Sequence, residues 1–414
     1  MKVLDQQRQD RTDLPEAHGV NAEALIKEAR QRQHRRWFFI AIIVFTAMIV
    51  SGVSYVIVSS PSVRARPTGT SSPSKTVSPA QSGPFVSPKA PYALSVAANG
   101  DLLAVDTGRD QILRRLPSGK FRVIAGDGKR GFSGDGGPAI RARINVQGDS
   151  GIAVARNGTV YFADTGNGRV REVLPNGIIK TIVGGGTRML GQGSMPALDA
   201  SINKQFTVTG LAIGPYGALY IAANAVYRLG LGGLLHWVVG KWVPPKDWPK
   251  NWGGVFSNPA PQSDFTGATR LAFDGKGDLF VAGGGGIFGI YEMARNGRLR
   301  FVGVFRGDAG GPPSLAAGTG GSVVVAYNAG IFRVSSSGTR KLISPSPVTS
   351  ATNSPLSTAL GAPHQRNGFI GGDGVAVGRD GDIYVDTNAG NGWTGVSAIL
   401  ELRPNGRVVP LWKS

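Results

Sequence analysis

Apolar positions along this chain fall into short runs, not long stripes. From about residue 91 onward they are three or four residues long, rich in Val, Ile, Leu, Ala and Tyr, and punctuated by glycine. The clearest stretch is Gly151–Gly184. Its turns are Asn157-Gly158 and Asn176-Gly177, with Asp164-Thr165-Gly166-Asn167-Gly168 between them. Asn-Gly between β-rich runs is a strong hairpin signal, because both residues accept the positive φ that such a turn needs. The stretch predicts four antiparallel strands, A to D, in one unit.

The unit recurs. Its first turn returns at Asn99-Gly100, Asn157-Gly158, Tyr216-Gly217, Lys276-Gly277, Gly320-Gly321 and Asp380-Gly381, each after a short apolar strand such as Leu211-Ala-Ile213 or Val375-Ala-Val377. Its later turn returns at Gly119, Gly177, Gly233, Gly297, Gly338 and Gly406, which makes six copies. The strands are apolar on both faces, as in Val160-Tyr-Phe-Ala163. A sheet with one wet face would alternate. Sheets buried on both faces must stack on each other, and six stacked around an axis make an all-β, six-bladed β-propeller. A linear stack is the alternative; the closed ring leaves shorter edges.

The motif Ala163-Asp-Thr-Gly-Asn-Gly-Arg-Val-Arg171 resembles the signature of NHL repeats. The loop Gly131-Phe-Ser-Gly-Asp-Gly-Gly-Pro-Ala139 is similar to the inter-blade loop of bacterial NHL proteins. The resemblance covers about residues 91–414. It is sharp in the first two copies and the last, and looser in copies three to five. The chain departs from the family at Gly168, where His is common, and at Asp149-Ser150, where Pro often precedes the first strand. The resemblance implies a six-bladed propeller used mainly for binding, with a minority of relatives acting as lyases or lactonases.

Strand direction alternates in such a blade, so the D–A and B–C connections emerge on one face and the A–B and C–D turns on the other. The turns of the second kind are tight. The D–A connections are long, at about 127–147, 185–207, 241–267 and 344–371. Elaboration confined to one face marks that face for binding. Its most distinctive loop reads Lys241-Trp-Val-Pro-Pro-Lys-Asp-Trp-Pro-Lys-Asn-Trp252. Trp242, Trp248 and Trp252, with Lys246 and Lys250 between them, suit stacking on a sugar, a peptide or a membrane interface; the alternative is that the indoles fold inward and plug the loop. Trp393, in the enlarged B–C loop 386–393, and Arg109, Asn167 and Arg169, in the B–C loops of the first two copies, complete the candidate ligand contacts. Asp106, Asp164 and Asp386 close the B strand in three copies. Aspartate there bonds nearby backbone N–H groups, so they and Asp135 in the inter-blade loop read as structural.

Five residues before each later glycine stand Arg114, Glu172, Arg228, Glu292, Arg333 and Glu401. The sign alternates around all six copies. This predicts attraction between facing positions on neighbouring blades.

Ahead of the propeller, Trp37–Val58 is 22 residues without a charge. As a helix it would be about 33 Å long, enough to cross a bilayer. The nearer positive cluster, Arg30, Arg32, Arg35 and Arg36, precedes it, so residues 1–36 are expected in the cytoplasm and the propeller outside. The run exceeds the apolar core of a signal peptide, and no clean cleavage site follows it. Residues 59–90, rich in Ser, Pro and Thr, read as a disordered linker. The expected localisation is therefore the cell membrane, single-pass, with the 1–58 segment available to a membrane partner.

Composition narrows the chemistry. The net charge is +19; residues 91–414 hold 33 basic and 20 acidic side chains. A basic surface favours an anionic envelope polymer or a protein partner, and an extracytoplasmic location disfavours nucleic acid. With no cysteine, thiol catalysis and Cys metal sites are excluded. The propeller has only His236 and His364, in different copies, and no motif asks for a cofactor or metal. A binding, sensor or scaffold domain is the expected function. A lactonase-like hydrolase or lyase is the alternative.

Overall fold

The repeated turns and two-faced apolar strands condense into a ring. The computed structural model of the protein describes residues 83–148, 150–202, 207–240, 267–283, 288–305, 313–327, 330–345, 374–387 and 397–413. Among these residues six antiparallel sheets of four or more strands follow one another along the chain. Blade 1 comprises Pro91–Val96, Leu102–Asp106, Gln111–Arg115 and Phe121–Ala125. Blade 2 comprises Ile152–Val154, Val160–Asp164, Arg169–Val173 and Ile179–Gly184. Blade 3 comprises Gly210–Ile213, Leu219–Ala223, Ala225–Leu229 and Leu234–Val239. Blade 4 comprises Ala268–Phe273, Leu279–Gly283, Phe288–Met293 and Leu299–Phe305. Blade 5 comprises Ser314–Ala317, Ser322–Tyr327, Gly330–Ser335 and Arg340–Pro345. Blade 6 comprises Val375–Val377, Ile383–Thr387, Ala398–Leu402 and Val408–Lys413. All of them lie in one unit of the chain, 75–414.

Each A strand packs on the next, and the A strand of blade 6 returns to that of blade 1, so the ring is closed. The core divides accordingly into six apolar clusters, one per blade interface. Leu103, Val105 and Ile112 of blade 1 meet Ile152, Phe162 and Ile179 of blade 2, for example, with Ala139, Ala142 and Ile144 from the loop between them. The blade 6–blade 1 seam is built the same way, from Ala376 and Ile399 against Leu94, Leu102 and Leu113. Five-residue strands such as Leu102–Asp106 and Ala398–Leu402 are buried along their whole length, as two-faced packing requires.

The outer edges of the first three blades are covered by the segment that leads into each. Phe85–Val86 pairs with the D strand of blade 1, and Ser194–Pro196 pairs with that of blade 3. At blade 2 the loop 131–142 plays this part: Gly136 N–H donates to Ile179 O at 2.8 Å, and Ala139 N–H to Gly177 O at 2.8 Å. These additions satisfy edge groups that would otherwise be open to pairing. The expected membrane span 37–58 and residues 59–82 of the linker expected at 59–90 lie outside the described residues, whereas the last part of that stretch is tied to blade 1 through Phe85–Val86 and Asp106. Among the described residues no helix is long and apolar enough to cross a membrane.

Candidate functional site

The innermost strands line a half-open cavity of about 50 Å³ on the ring axis. It is lined by residues from the entry half of all six A strands, among them Leu94, Ile152, Leu211, Leu271, Leu315 and Val375. The entry end of an A strand is the end that receives the long D–A connection. Cavity and long connections therefore share one end of the ring.

One position per blade decides how wide the axis is. It holds Ala93, Gly151, Gly210, Arg270, Ser314 and Gly374, each immediately before an apolar residue of the strand. Adjacent A strands approach so closely here that a Cβ on Gly210 would lie 2.7 Å from Thr269 O, and one on Gly374 would lie 2.7 Å from the Leu94 nitrogen. Five blades thus contribute a small residue, and blade 4 contributes an arginine.

Arg270 is nine-tenths buried. Its Nη1 donates to Thr209 O at 3.0 Å and to Thr269 O at 3.2 Å. Thr209 Oγ1 donates to Thr269 O at 2.8 Å, tying blade 3 to blade 4 at the same level. Ser150, also on the cavity wall, exchanges a 2.8 Å hydrogen bond with Thr165 and accepts from Gln147 N–H at 3.0 Å. The cavity is therefore a polar pocket with one cation, Arg270, on its wall, framed by apolar side chains. Comparing the six copies position by position would have exposed it in the sequence; reading each copy singly does not.

Around this pocket the B strands end in buried aspartates. Asp106 accepts from Lys89 N–H and Ala90 N–H, both at 2.9 Å. Asp164 accepts from Asn145 N–H at 2.7 Å, and Asp386 from Gly374 N–H at 2.9 Å. Each carboxylate holds the segment entering the A strand of its own blade. Arg109 donates from Nε to Ser87 O at 3.1 Å. Asn167 Nδ2 donates to Gly131 O and to both oxygens of Asp164, at 2.8 to 2.9 Å. Arg169 bonds to Asn167 O and stacks on Phe132, 3.9 Å from the ring centroid. These three candidate contacts lie on the long-loop face, and each fastens an inter-blade segment.

Arg171 is the anchor beneath them. It is fully buried and donates to Ser133 O at 2.9 Å, Arg143 O at 3.1 Å and Asp135 Oδ1 at 2.6 Å, with Asp164 Oδ2 at 3.6 Å. Burial pushes the Asp135 carboxyl up, but bonds from Thr181 and Arg171 outweigh it and hold the group below its ordinary value. At Asp164 burial wins over Asn167, Asn145 and Arg171, and the carboxyl is held above its ordinary value.

Trp242, Lys246, Trp248, Lys250, Trp252 and Trp393 lie outside the described residues, as does His364. His236 sits on the outer strand of blade 3, where Nδ1 shares a 2.6 Å hydrogen bond with Ser194 Oγ. The alternating ring of charges does not act between blades. Glu172 pairs with Lys180 at 2.8 Å, Glu292 with Arg300, and Glu401 with Arg403 at 3.2 Å, all within one blade. Arg114 likewise faces Asp101 of its own blade at 3.9 Å. The reason is distance: strands in one sheet lie about 5 Å apart, whereas packed sheets lie about 10 Å apart. Among the described residues no group of three or more His, Asp or Glu side chains could hold a metal ion.

Residues 117–286 match a family model, the teneurin NHL domain. Solved structures also match over most of the chain. Virginiamycin B lyase from Staphylococcus aureus is 14% identical with a TM-score of 0.43, over 78% of this chain and 83% of that one. A gluconolactonase from Xanthomonas campestris is 12% identical with a TM-score of 0.40, over 80% and 87%. The PQQ-bound aldose sugar dehydrogenase from Streptomyces coelicolor is 18% identical with a TM-score of 0.41, over 77% and 96%. The family match from blade 1 into blade 4, on a closed ring of six blades, supports an NHL-type propeller.

Proposed function

We propose that the chain is a membrane-tethered, extracytoplasmic binding propeller of a bacterial envelope, which receives its ligand on the face of the long connections. One observation carries the reading. The axial cavity lies at the end of the ring where the D–A connections enter, while the opposite end carries tight glycine turns such as Gly100, Gly158 and Gly381, all at positive φ. Ligand sites in closed β architectures favour the loop-rich mouth of a cavity. The basic excess of residues 91–414 favours an anionic envelope polymer or an acidic protein surface as the partner.

Crosslinking of the full-length protein in its native membrane, followed by identification of the captured partner, tests the reading. Replacing Trp242, Trp248 and Trp252 together by Ala should abolish capture. Replacing Tyr216 and Leu231, which project from the tight turns at 97% and 99% exposure, should leave it intact. The reverse pattern would move the binding face to the other end of the ring.

A further inference from the structure

We infer that the axial cavity is an oxyanion subsite, in which the guanidinium of Arg270 grips the carboxylate or phosphate end of a ligand. The inference rests on the reading that ligands enter from the long-loop face, and gives that ligand its chemistry.

Three observations converge on Arg270. The first is its place: of the six equivalent positions around the axis, five hold Gly, Ala or Ser, and only blade 4 places a charge there. The second is its pairing. Nη1 is engaged by the carbonyls of Thr209 and Thr269, which leaves the Nε–Nη2 edge of the fork without an acceptor among the described residues. No ion pair joins Arg270 to a carboxylate there, although the residue is only 8% exposed. A buried charge without a counter-charge is costly, and a bound anion offsets that cost. The two N–H groups on that edge are parallel and match the two oxygens of a carboxylate or phosphate.

The third observation is size. A water requires roughly 10–15 Å³ of such space, so 50 Å³ holds on the order of three or four waters, or one carboxylate or phosphate group. That space matches a small charged group and not a whole sugar ring. It therefore suits the charged tip of a larger ligand whose body rests on the rim. The walls reinforce the choice: Ser150, Thr209 and Ser314 are hydroxyl residues, Tyr92 is phenolic, and no Asp or Glu is among the lining residues. The bonds to Thr209 O and Thr269 O also fix the guanidinium between blades 3 and 4, so little side-chain freedom remains to be lost on binding.

A purely structural Arg270, a stopper that links two blades, gives different results from a ligand-gripping one. Full-length protein would be titrated calorimetrically with inorganic phosphate and, separately, with acetate, at ionic strength held constant with sodium chloride. Saturable binding with one site per chain is expected for at least one of the two anions, and the arm that binds tighter assigns the group. Arg270→Gln keeps a donor for the carbonyls but removes the charged fork, and should weaken binding by about 10- to 100-fold, as expected for charge-assisted hydrogen bonds. Arg270→Lys keeps the charge, guards against a folding failure of the neutral variant, and should weaken binding less. Absence of saturable binding by the wild-type protein overturns the inference, as does equal binding by Arg270→Gln. If the anions fail to bind while the Trp242, Trp248 and Trp252 replacements still abolish partner capture, only the oxyanion site is lost. If they bind while capture ignores that face, the binding-face reading is lost instead.

Discussion

The width of the axis is set by atoms that are missing. At Gly210 a Cβ would meet Thr269 O at 2.7 Å, Arg270 Cα at 3.0 Å and the Ala222 side chain at 3.2 Å. The blade 4 backbone at Thr269 and Arg270 cannot yield as a flexible side chain would, so Gly210→Ala should destabilise the propeller by about 1–3 kcal/mol through overpacking. Gly191 has nothing within 4 Å and an ordinary φ, so Gly191→Ala is the control and should stay within about 0.5 kcal/mol. Thermal midpoints of the two variants decide the matter, and equal midpoints would contradict the close approach of blades 3 and 4. Tyr227 shows another residue-scale effect. Burial pushes its phenol up to about 12 from 10.0. Because the folded value is raised, its contribution is fully present below pH 10, and stability falls as pH rises from about 10 to about 12, by an order of 2–3 kcal/mol for a two-unit shift. Tyr227→Phe should flatten that part of a denaturant-midpoint profile, and an unchanged alkaline slope would show that the phenol is wet. Neither Gly210 nor Tyr227 stands out in the sequence, since closeness of backbone and depth of burial belong to the assembled ring.

The loop 126–146 shows how an irregular element becomes rigid. Arg171 binds two of its carbonyls and Asp135, and Asn167 binds a third carbonyl at Gly131. The short helix Ala139–Arg141 packs buried Ala139 into the blade 1–blade 2 cluster. Arg171→Met removes the buried cation but leaves Asp164 buried without it, and removal of one partner of such a pair costs about 3–5 kcal/mol. Hydrogen exchange should then show the amides of Gly131, Ser133 and Asp127 losing protection before those of blade 5; uniform loss would mean that Arg171 supports the whole ring. Acid should act on the same element. Asp135 is held below its ordinary value, so its contribution is present above the ordinary carboxylate range and is lost as pH falls through the depressed value. Asp135→Asn should make protection of the loop insensitive to pH in that range. Much of this element was legible: the glycine loop and the NHL-like 163–171 motif both flagged residues that now hold it. What was not legible was the pairing. Sequence spacing placed Asp164 and Arg171 on neighbouring strands, but Asp135 reaches Arg171 only because the loop folds back along blade 2. The two- and three-residue edge strands at 85–86 and 194–196 are too short to carry a period.

The ring as a whole closes without exchanging a strand. Every blade is made from contiguous chain, and the four strands of blade 6 all come from the C-terminal stretch 375–413. Blade count and turn positions could be read from the sixfold repeat, because each tight turn carries a glycine at a positive φ; the manner of closure could not, since the repeat looks the same with or without a shared blade. The first and last blades are therefore joined by side chains and not by a continuous backbone ladder. Their cluster unites Leu94, Leu113 and Phe121 with Ile399, Tyr384, Leu411 and Trp412, and Trp412 Nε1–H donates to Ser87 Oγ at 3.1 Å. At every other interface the chain itself runs from one blade into the next, so separating those blades must also stretch a connection. The seam lacks that restraint and is the expected place of first opening, in line with the nearest-neighbour stability of repeat proteins. Trp412→Ala removes one hydrogen bond and part of the cluster from a half-buried position, and should cost about 2–3 kcal/mol. The informative measurement is where protection is lost. Hydrogen exchange in this variant should accelerate together in Pro91–Val96 of blade 1 and Val375–Val377 of blade 6, which are far apart in sequence but adjacent across the seam. Trp237 is the matched control. It is also half-buried, packs against the blade 2–blade 3 cluster and donates from Nε1 to Gly240 O at 2.8 Å, but its blade has covalent neighbours on both sides. Trp237→Ala should loosen blade 3 and leave the seam protected. If both variants open the same strands, the ring comes apart as one cooperative body and the seam is no weaker than the rest.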